Sequence, residues 1–214
     1  MAMKYTRLLR MAFVVVALAS ALVCNAAEND DIFDLTFDEN LNLPKIQKAE
    51  VAERIQNFQN DRAVELIKNN LEVELTRNGE VIIVTVPADE LFAPNDTVLL
   101  KKSSEVLNKF LKFTQTPGFY KLLLVMHSDN TGTPNYLNRL TGARSNAVYE
   151  WFEAHGNADW VVPYAFGGIQ PLQDNTSIDK RRLNRRLEIY IVPGEEMIAQ
   201  AKKGKVKQVV RKRK

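Results

Sequence analysis

Tyr120-Lys121-Leu122-Leu123-Leu124-Val125-Met126-His127 runs straight into Ser128-Asp129-Asn130-Thr131-Gly132, and a helical pattern follows from Asn135 to His155. The first eight residues form a short, nearly continuous apolar run of the length of a buried strand. The polar residues after it read as a loop. Beyond the loop, Leu137, Leu140, Ala147, Val148, Trp151 and Phe152 fall close to one helical stripe. The order strand, loop, helix is that of an α/β unit. Its loop leaves the carboxyl end of the strand, the edge at which open α/β sheets collect ligands.

Two opposite charges belong to that edge. Asp129 lies just past the strand, and Arg144 follows fifteen residues later. Arg144 is four residues after Leu140 and four before Val148, so it sits on the apolar stripe of the helix. A guanidinium turned toward a core is costly unless it is paired or reaches an edge. It therefore calls for an acid, from the protein or from a ligand, and Asp129, just past the strand end, is the nearest plausible candidate in the protein. One reading is an internal Asp129–Arg144 salt bridge that only holds the fold. The other is a ligand grip, suited to a molecule with an ammonium and a carboxylate on one carbon.

Working outward, Pro44 opens an expected helix to about Asn69, with Ile46, Val51, Ile55, Phe58, Val64 and Ile67 as its apolar members. Leu71–Thr76 and Val81–Pro87 read as strands joined by Arg77-Asn78-Gly79-Glu80, a hairpin signal. Pro94-Asn95-Asp96-Thr97 is a turn that can cap a helix over about Val98–Thr114, which Pro117-Gly118 ends. Val161–Phe166 reads as a further strand, which Pro163 demotes to an edge or an irregular piece. A polar loop is expected from Gly167 to Lys180, then a last strand at Leu187–Val192, with Pro193-Gly194 ending the domain. Alternating strands and helices imply an α/β two-layer sandwich, with helices packed on one face of a mixed sheet and an N-terminal helical extension.

The length of 214 residues, with 45% hydrophobic and 26% charged residues, has room for one good core. Lys4, Arg7 and Arg10 precede the apolar run Met11–Cys24, with Ala26 and Ala27 after it, so residues 1–26 read as a secretory signal. Cys24, the only cysteine, is the alternative attachment point for a lipid; Ala21 and Val23 fit a lipobox poorly. Residues 27–69 make an acidic lead-in plus helix, 70–193 the domain, and 194–214 a basic tail. The lead-in carries Glu28, Asp30, Asp31, Asp34, Asp38 and Glu39. The tail carries eight cations, from Lys202 to Lys214. Such a tail is either a solvated end or an attachment to an anionic polymer or headgroup surface. An export signal argues against nucleic acid, and a membrane enters only if Cys24 is lipidated.

Three blocks carry a resemblance. They are His127-Ser128-Asp129-Asn130-Thr131-Gly132, then Leu140-Thr141-Gly142-Ala143-Arg144-Ser145, and finally Arg181-Arg182-Leu183-Asn184-Arg185-Arg186-Leu187-Glu188. In order and spacing the chain resembles, over roughly 71–193, the OmpA C-terminal-like peptidoglycan-binding family, with peptidoglycan-associated lipoprotein and flagellar stator periplasmic domains. The resemblance implies that fold and non-covalent binding of the diaminopimelate residue of peptidoglycan stem peptides, in the periplasm, with outer-membrane association left open. It implies that Asp129 takes the ligand's ammonium and Arg144 the carboxylate. Support would come from the backbone of Asn130, Thr131 and Gly132, from Asn138 and Thr141, and from Asn184, Arg185 and Arg186, one of the two arginines facing the ligand. The chain departs from the family at Met126, where a glycine is usual, and at Leu137, where an asparagine is usual and Asn138 is one place off.

His127 and His155 have no ligand-spaced acids or cysteines around them, so no metal or cofactor is expected. Ser128, Ser145 and the histidines form no nucleophile arrangement, and an enzyme is not expected. The resemblance implies a wall-binding module that tethers an envelope component, with a protein partner on the N-terminal helix or basic tail. The rival is an envelope assembly protein that kept the fold and lost the ligand.

Overall fold

Helices and strands follow one another as the apolar periodicities require. A computed structural model describes residues 32–206. The expected export signal with Cys24, and the end of the basic tail, lie outside the described residues. Five strands form one sheet: β1 Glu72–Thr76, β2 Val81–Pro87, β3 Tyr120–His127, β4 Val161–Gly167 and β5 Arg186–Pro193, in the order β1-β2-β5-β3-β4. The β3–β4 pairing is parallel and the others are antiparallel, so the sheet is mixed. Every residue of the expected strand 120–127 is buried. The hairpin turn places Arg77, Asn78 and Gly79 at positive φ, the conformation that its Asn-Gly pair tolerates best. As Pro163 demands, β4 is an edge strand.

The helices are α1 Phe37–Asn42, α2 Ala49–Lys68, α3 Ala88–Leu91, α4 Ser103–Leu107, α5 Pro134–His155, α6 Ile178–Asn184 and α7 Glu195–Lys202. On one face of the sheet, Leu122, Leu124 and Met126 of β3 join Ile82, Val84, Ile189 and Ile191 in the main core. Val51, Ile55 and Leu66 of α2, and Val148, Trp151 and Phe152 of α5, close over them. The long helix from Thr133 is sharply started: the Thr133 side chain caps the Tyr136 amide, and proline occupies the first turn.

Several expectations are corrected by packing. The helix expected from Pro44 starts at Ala49, and the acidic lead-in holds a helix of its own: α1 begins with a Thr36–Glu39 capping box. Phe37 of α1 packs edge-on against Tyr164, Phe166 and Tyr190, covering part of the second face of the sheet. Lys121 is buried on that face and donates to Asn40 Oδ1 at 2.7 Å and to the Leu43 carbonyl at 3.0 Å. Burial lowers its pKa to about 8. Too short to show a periodicity, this arm is placed by tertiary contacts alone. The helix expected at Val98–Thr114 starts only at Ser103, and Asn108–Phe113 tightens into a 3-10 helix. Val98–Leu100 are instead drawn out by the Phe92–Leu99 bridge and by the Leu100 amide donating to the Leu91 carbonyl at 2.9 Å.

The domain does not end at Pro193-Gly194. Helix α7 follows and buries Met197, Ile198 and Ala201 in the main core beside α2. The boundary at 69 is equally artificial, because α2 shares that core. Toward the cleft end of the second face, Arg186 pairs with Glu188, whose other oxygen accepts from the Tyr190 hydroxyl at 2.6 Å. His127 Nε2 stands 3.5 Å from Glu188, and neither ring nitrogen makes a hydrogen bond. Burial opposes ionisation of Glu188, but His127, Tyr190 and Arg186 outweigh it and hold the carboxyl at about 2, below its ordinary 4.5.

Two outcomes check this account. Met197→Ala, in the segment that looked like a tail, is expected to cost about 2–4 kcal/mol in urea unfolding. Ile169→Ala, at a site 75% exposed, is expected to cost no more than about 0.5 kcal/mol. Equal small effects would return α7 to the status of an appendage. Because Glu188 has a depressed pKa, its stabilisation is present above about 4.5 and lost as pH falls toward about 2. The unaltered protein is expected to lose on the order of 2 kcal/mol through this group over that window. Glu188→Gln should start less stable and fall less; parallel stability curves would refute the assignment.

Candidate functional site

The carboxyl end of β3 opens into a cleft of about 450 Å³. Its walls come from four parts of the chain: the β3 end with Asp129, α3 and the Phe92–Thr97 loop, the first turns of α5, and α6 with Arg185. Leu137, Leu140 and Arg144 of α5 line it, as their place on one helical stripe requires.

Asp129 is 4% exposed. Its Oδ1 accepts from the Thr131 amide at 2.7 Å, and its Oδ2 accepts from Nη1 of Arg185. Burial works against its charge, but the Thr131 contacts and Arg185 prevail and hold the carboxyl below its ordinary value. It is therefore an anion at neutral pH, with both oxygens engaged.

Arg144 is 5% exposed and does not meet Asp129. The internal Asp129–Arg144 bridge considered from the sequence is not formed. Arg144 Nε donates to the Asp96 carbonyl at 2.7 Å and Nη2 to the Ala93 carbonyl at 3.0 Å. Its guanidinium also lies over the Phe92 ring, 5.0 Å from the centroid. The acid expected to satisfy it is replaced by main-chain carbonyls, a partner that no side-chain pattern reveals. The loop bearing those carbonyls is itself shaped by Asp96, whose side chain accepts from the Thr97 and Val98 amides. Burial pulls the Arg144 pKa down, Tyr136 and Asp96 counter it, and Arg185 adds a like-charge repulsion.

The remaining sequence candidates divide sharply. Arg185 lines the cleft, whereas Arg186 is 3% exposed and faces Glu188, the Asn184 carbonyl and the Gln170 carbonyl. Thr131 lines the cleft, but its amide is already spent on Asp129. The Asn130 amide is engaged by Asn175 Oδ1 at 3.4 Å. Gly132 has φ 136°, and a Cβ there would come within 2.9 Å of the Tyr136 ring. Asn138 points elsewhere: it packs against Gly167, where an added Cβ would meet its Oδ1 at 2.5 Å. Thr141 is buried beneath the site, donating to the Leu137 carbonyl at 2.8 Å and accepting from the Gly167 amide at 3.1 Å. Asn184 is fully buried and clamps Gln173 and Asn175, the loop that reaches the Asp129 turn. Asn138, Thr141, Asn184 and Arg186 thus do not line the cleft. Met126, the first departure from the family pattern, points into the main core, while Leu137, the second, forms part of the cleft wall.

Sequence reading missed Phe92, Ala93 and Asp96, which seat Arg144, and Asn175, which bridges Asn184 to Asn130. It also missed Tyr136, Ile178 and Arg181 on the cleft wall. The Pro94–Thr97 turn was visible as a turn, but its carbonyl directions were not. No group of three or more metal-ligating side chains occurs among the described residues. No described helix is long and apolar enough to cross a membrane.

Comparison with known proteins follows the same outline. No curated protein matches the chain by sequence. A putative MotB-like protein from Desulfovibrio vulgaris is 22% identical, with a TM-score of 0.57 over 67% of this chain and 94% of that one. The cell wall anchor of the T6SS from Pseudomonas aeruginosa is 24% identical, with a TM-score of 0.51 over 66% and 99%. The periplasmic domain of Helicobacter pylori MotB is 17% identical, with a TM-score of 0.52 over 62% and 88%. These likenesses establish a shared fold. The OmpA family model matches residues 91–185, the span that holds β3, α5, the Arg144 loop and Arg185, and the chain carries an OmpA-family domain there.

Proposed function

We propose that this protein is a non-enzymatic tether that binds peptidoglycan in the periplasm through the diaminopimelate residue of a stem peptide, and so holds an envelope component to the cell wall. The observation that carries the reading is one cleft containing an ionised Asp129 with the Arg144 and Arg185 guanidiniums. Diaminopimelate offers an ammonium and a carboxylate on one carbon, and charge-assisted contacts to both would fix its orientation. A lysine residue in the same stem position has the ammonium and lacks the carboxylate, so the site would discriminate between the two wall chemistries. The OmpA-family match and the fold shared with a T6SS cell wall anchor support the assignment. The expected export signal supports the location. Peptidoglycan is then held without any bond being broken, and a protein partner would join at the N-terminal helices or the basic tail.

A second reading, an assembly protein with the same fold and no ligand, is favoured by one feature: apolar Leu137 stands in the cleft wall. The test is co-sedimentation of residues 27–214 with diaminopimelate-type and lysine-type sacculi at moderate ionic strength, where attraction by the basic tail alone is screened. The unaltered protein is expected to pellet with the first and not the second. Asp129→Asn is expected to weaken that binding at least about tenfold, as loss of one charge-assisted contact would. If the unaltered protein stays in the supernatant with both, the tether reading is wrong and the assembly reading takes its place.

A further inference from the structure

Resting on the diaminopimelate reading, a finer question is how a ligand reaches Asp129 when both its oxygens are occupied. The carboxylate is 4% exposed, and its Oδ2 already has a cation, Arg185. The other guanidiniums around the cleft are committed. Arg144 is fixed to two main-chain carbonyls, Arg181 Nη1 donates to the Asn175 carbonyl at 2.9 Å, and Arg182 pairs with Asp89 at 2.7 Å. Among the described residues, the Arg185 side chain bonds only to Asp129, and 37% of it is exposed. It is the cation at the site that can move without breaking the fold.

We propose that the Asp129–Arg185 ion pair is the closed state of the site, and that the ligand inserts into it. The ligand's ammonium replaces Arg185 on Asp129, and the released guanidinium, beside Arg144, takes the carboxylate on the same carbon. The two halves of the resident pair have the polarity of the zwitterion that separates them. Selectivity follows from counting contacts. A ligand with only an ammonium exchanges one cation for another on Asp129 and leaves Arg185 with nothing new. A ligand with only a carboxylate draws Arg185 away and strands Asp129 as a buried, unpaired anion, which is costly. Only a ligand that brings both charges ends with every charge paired. Arg185 thereby becomes the specificity-determining residue, and the site requires both charges at once.

The test uses residues 27–214, which contain the whole compact unit of the described residues, and three stem peptides. The first has diaminopimelate with a free amine, the second has lysine, and the third has diaminopimelate with its side-chain amine acetylated. Calorimetry reads affinity, and the side-chain Nε–H resonance of Arg185 reads the partner exchange. The first peptide alone is expected to bind the unaltered protein and to shift the Arg185 resonance. Arg185→Gln is expected to bind it about tenfold more weakly, and Arg185→Lys, which keeps a cation, to recover part of the loss. An Arg185 resonance that stays in place while the unaltered protein binds would overturn the exchange, even if the variants fail to fold. Equal or tighter binding by Arg185→Gln would overturn it too, since Arg185 would then be a bystander or a plug. Failure of the unaltered protein to bind any peptide would remove the diaminopimelate reading itself, and this inference with it.

Discussion

The seating of one buried guanidinium governs the geometry of the cleft. Arg144 lies on the apolar stripe of α5, where an unpaired cation would cost several kcal/mol. It is satisfied by the carbonyls of Ala93 and Asp96 and by the face of Phe92. Those contacts tie the loop after α3 to the helix after β3, two pieces of chain about fifty residues apart. They leave the guanidinium at the cleft wall with a fixed direction. The same bonds that satisfy the charge therefore shape the opening in which it works.

The other wall depends on a relay of amides and not on charge. Asn184, fully buried, holds Gln173 and Asn175; Asn175 reaches the Asn130 amide; and Asn130 follows Asp129. Arg185, the next residue after Asn184, is consequently delivered to Asp129, while Arg186 enters the sheet as the first residue of β5 and turns to the opposite face. Alternation along a strand explains why two adjacent arginines have different fates. One becomes the half-exposed partner of the buried Asp129 carboxylate. The other becomes a buried counter-ion for Glu188.

The second face of the sheet carries more chemistry than an exposed face needs. Lys121, His127, Arg186, Glu188 and Tyr190 all belong to it, and α1 closes part of it through Phe37 and Asn40. Covering by α1 allows β3 to be buried along its whole length although the large helices lie on one side only. The five-stranded unit, whose residues 91–185 match the OmpA family model, is thus extended at both ends, by α1 and α2 before β1 and by α7 after β5.

The sequence by itself determined the elements that have a strong period. The apolar run 120–127, the stripe from Leu137 to Phe152, the Asn-Gly hairpin and the edge strand at Pro163 stand where local pattern puts them, because side-chain spacing and turn chemistry act over a few residues. It also determined that Asp129 and Arg144 would lie near the carboxyl end of β3. Tertiary structure alone decided their partners. Arg144 binds carbonyl oxygens, which every residue possesses and no sequence pattern marks, and Asp129 binds Arg185, fifty-six positions away. Tertiary structure also recruited α1 and α7, whose apolar faces are too short to declare themselves and are stabilised only by the surface they cover. Long-range partners are chosen by the packing of the whole chain, and a linear pattern can state only that a buried charge must have one.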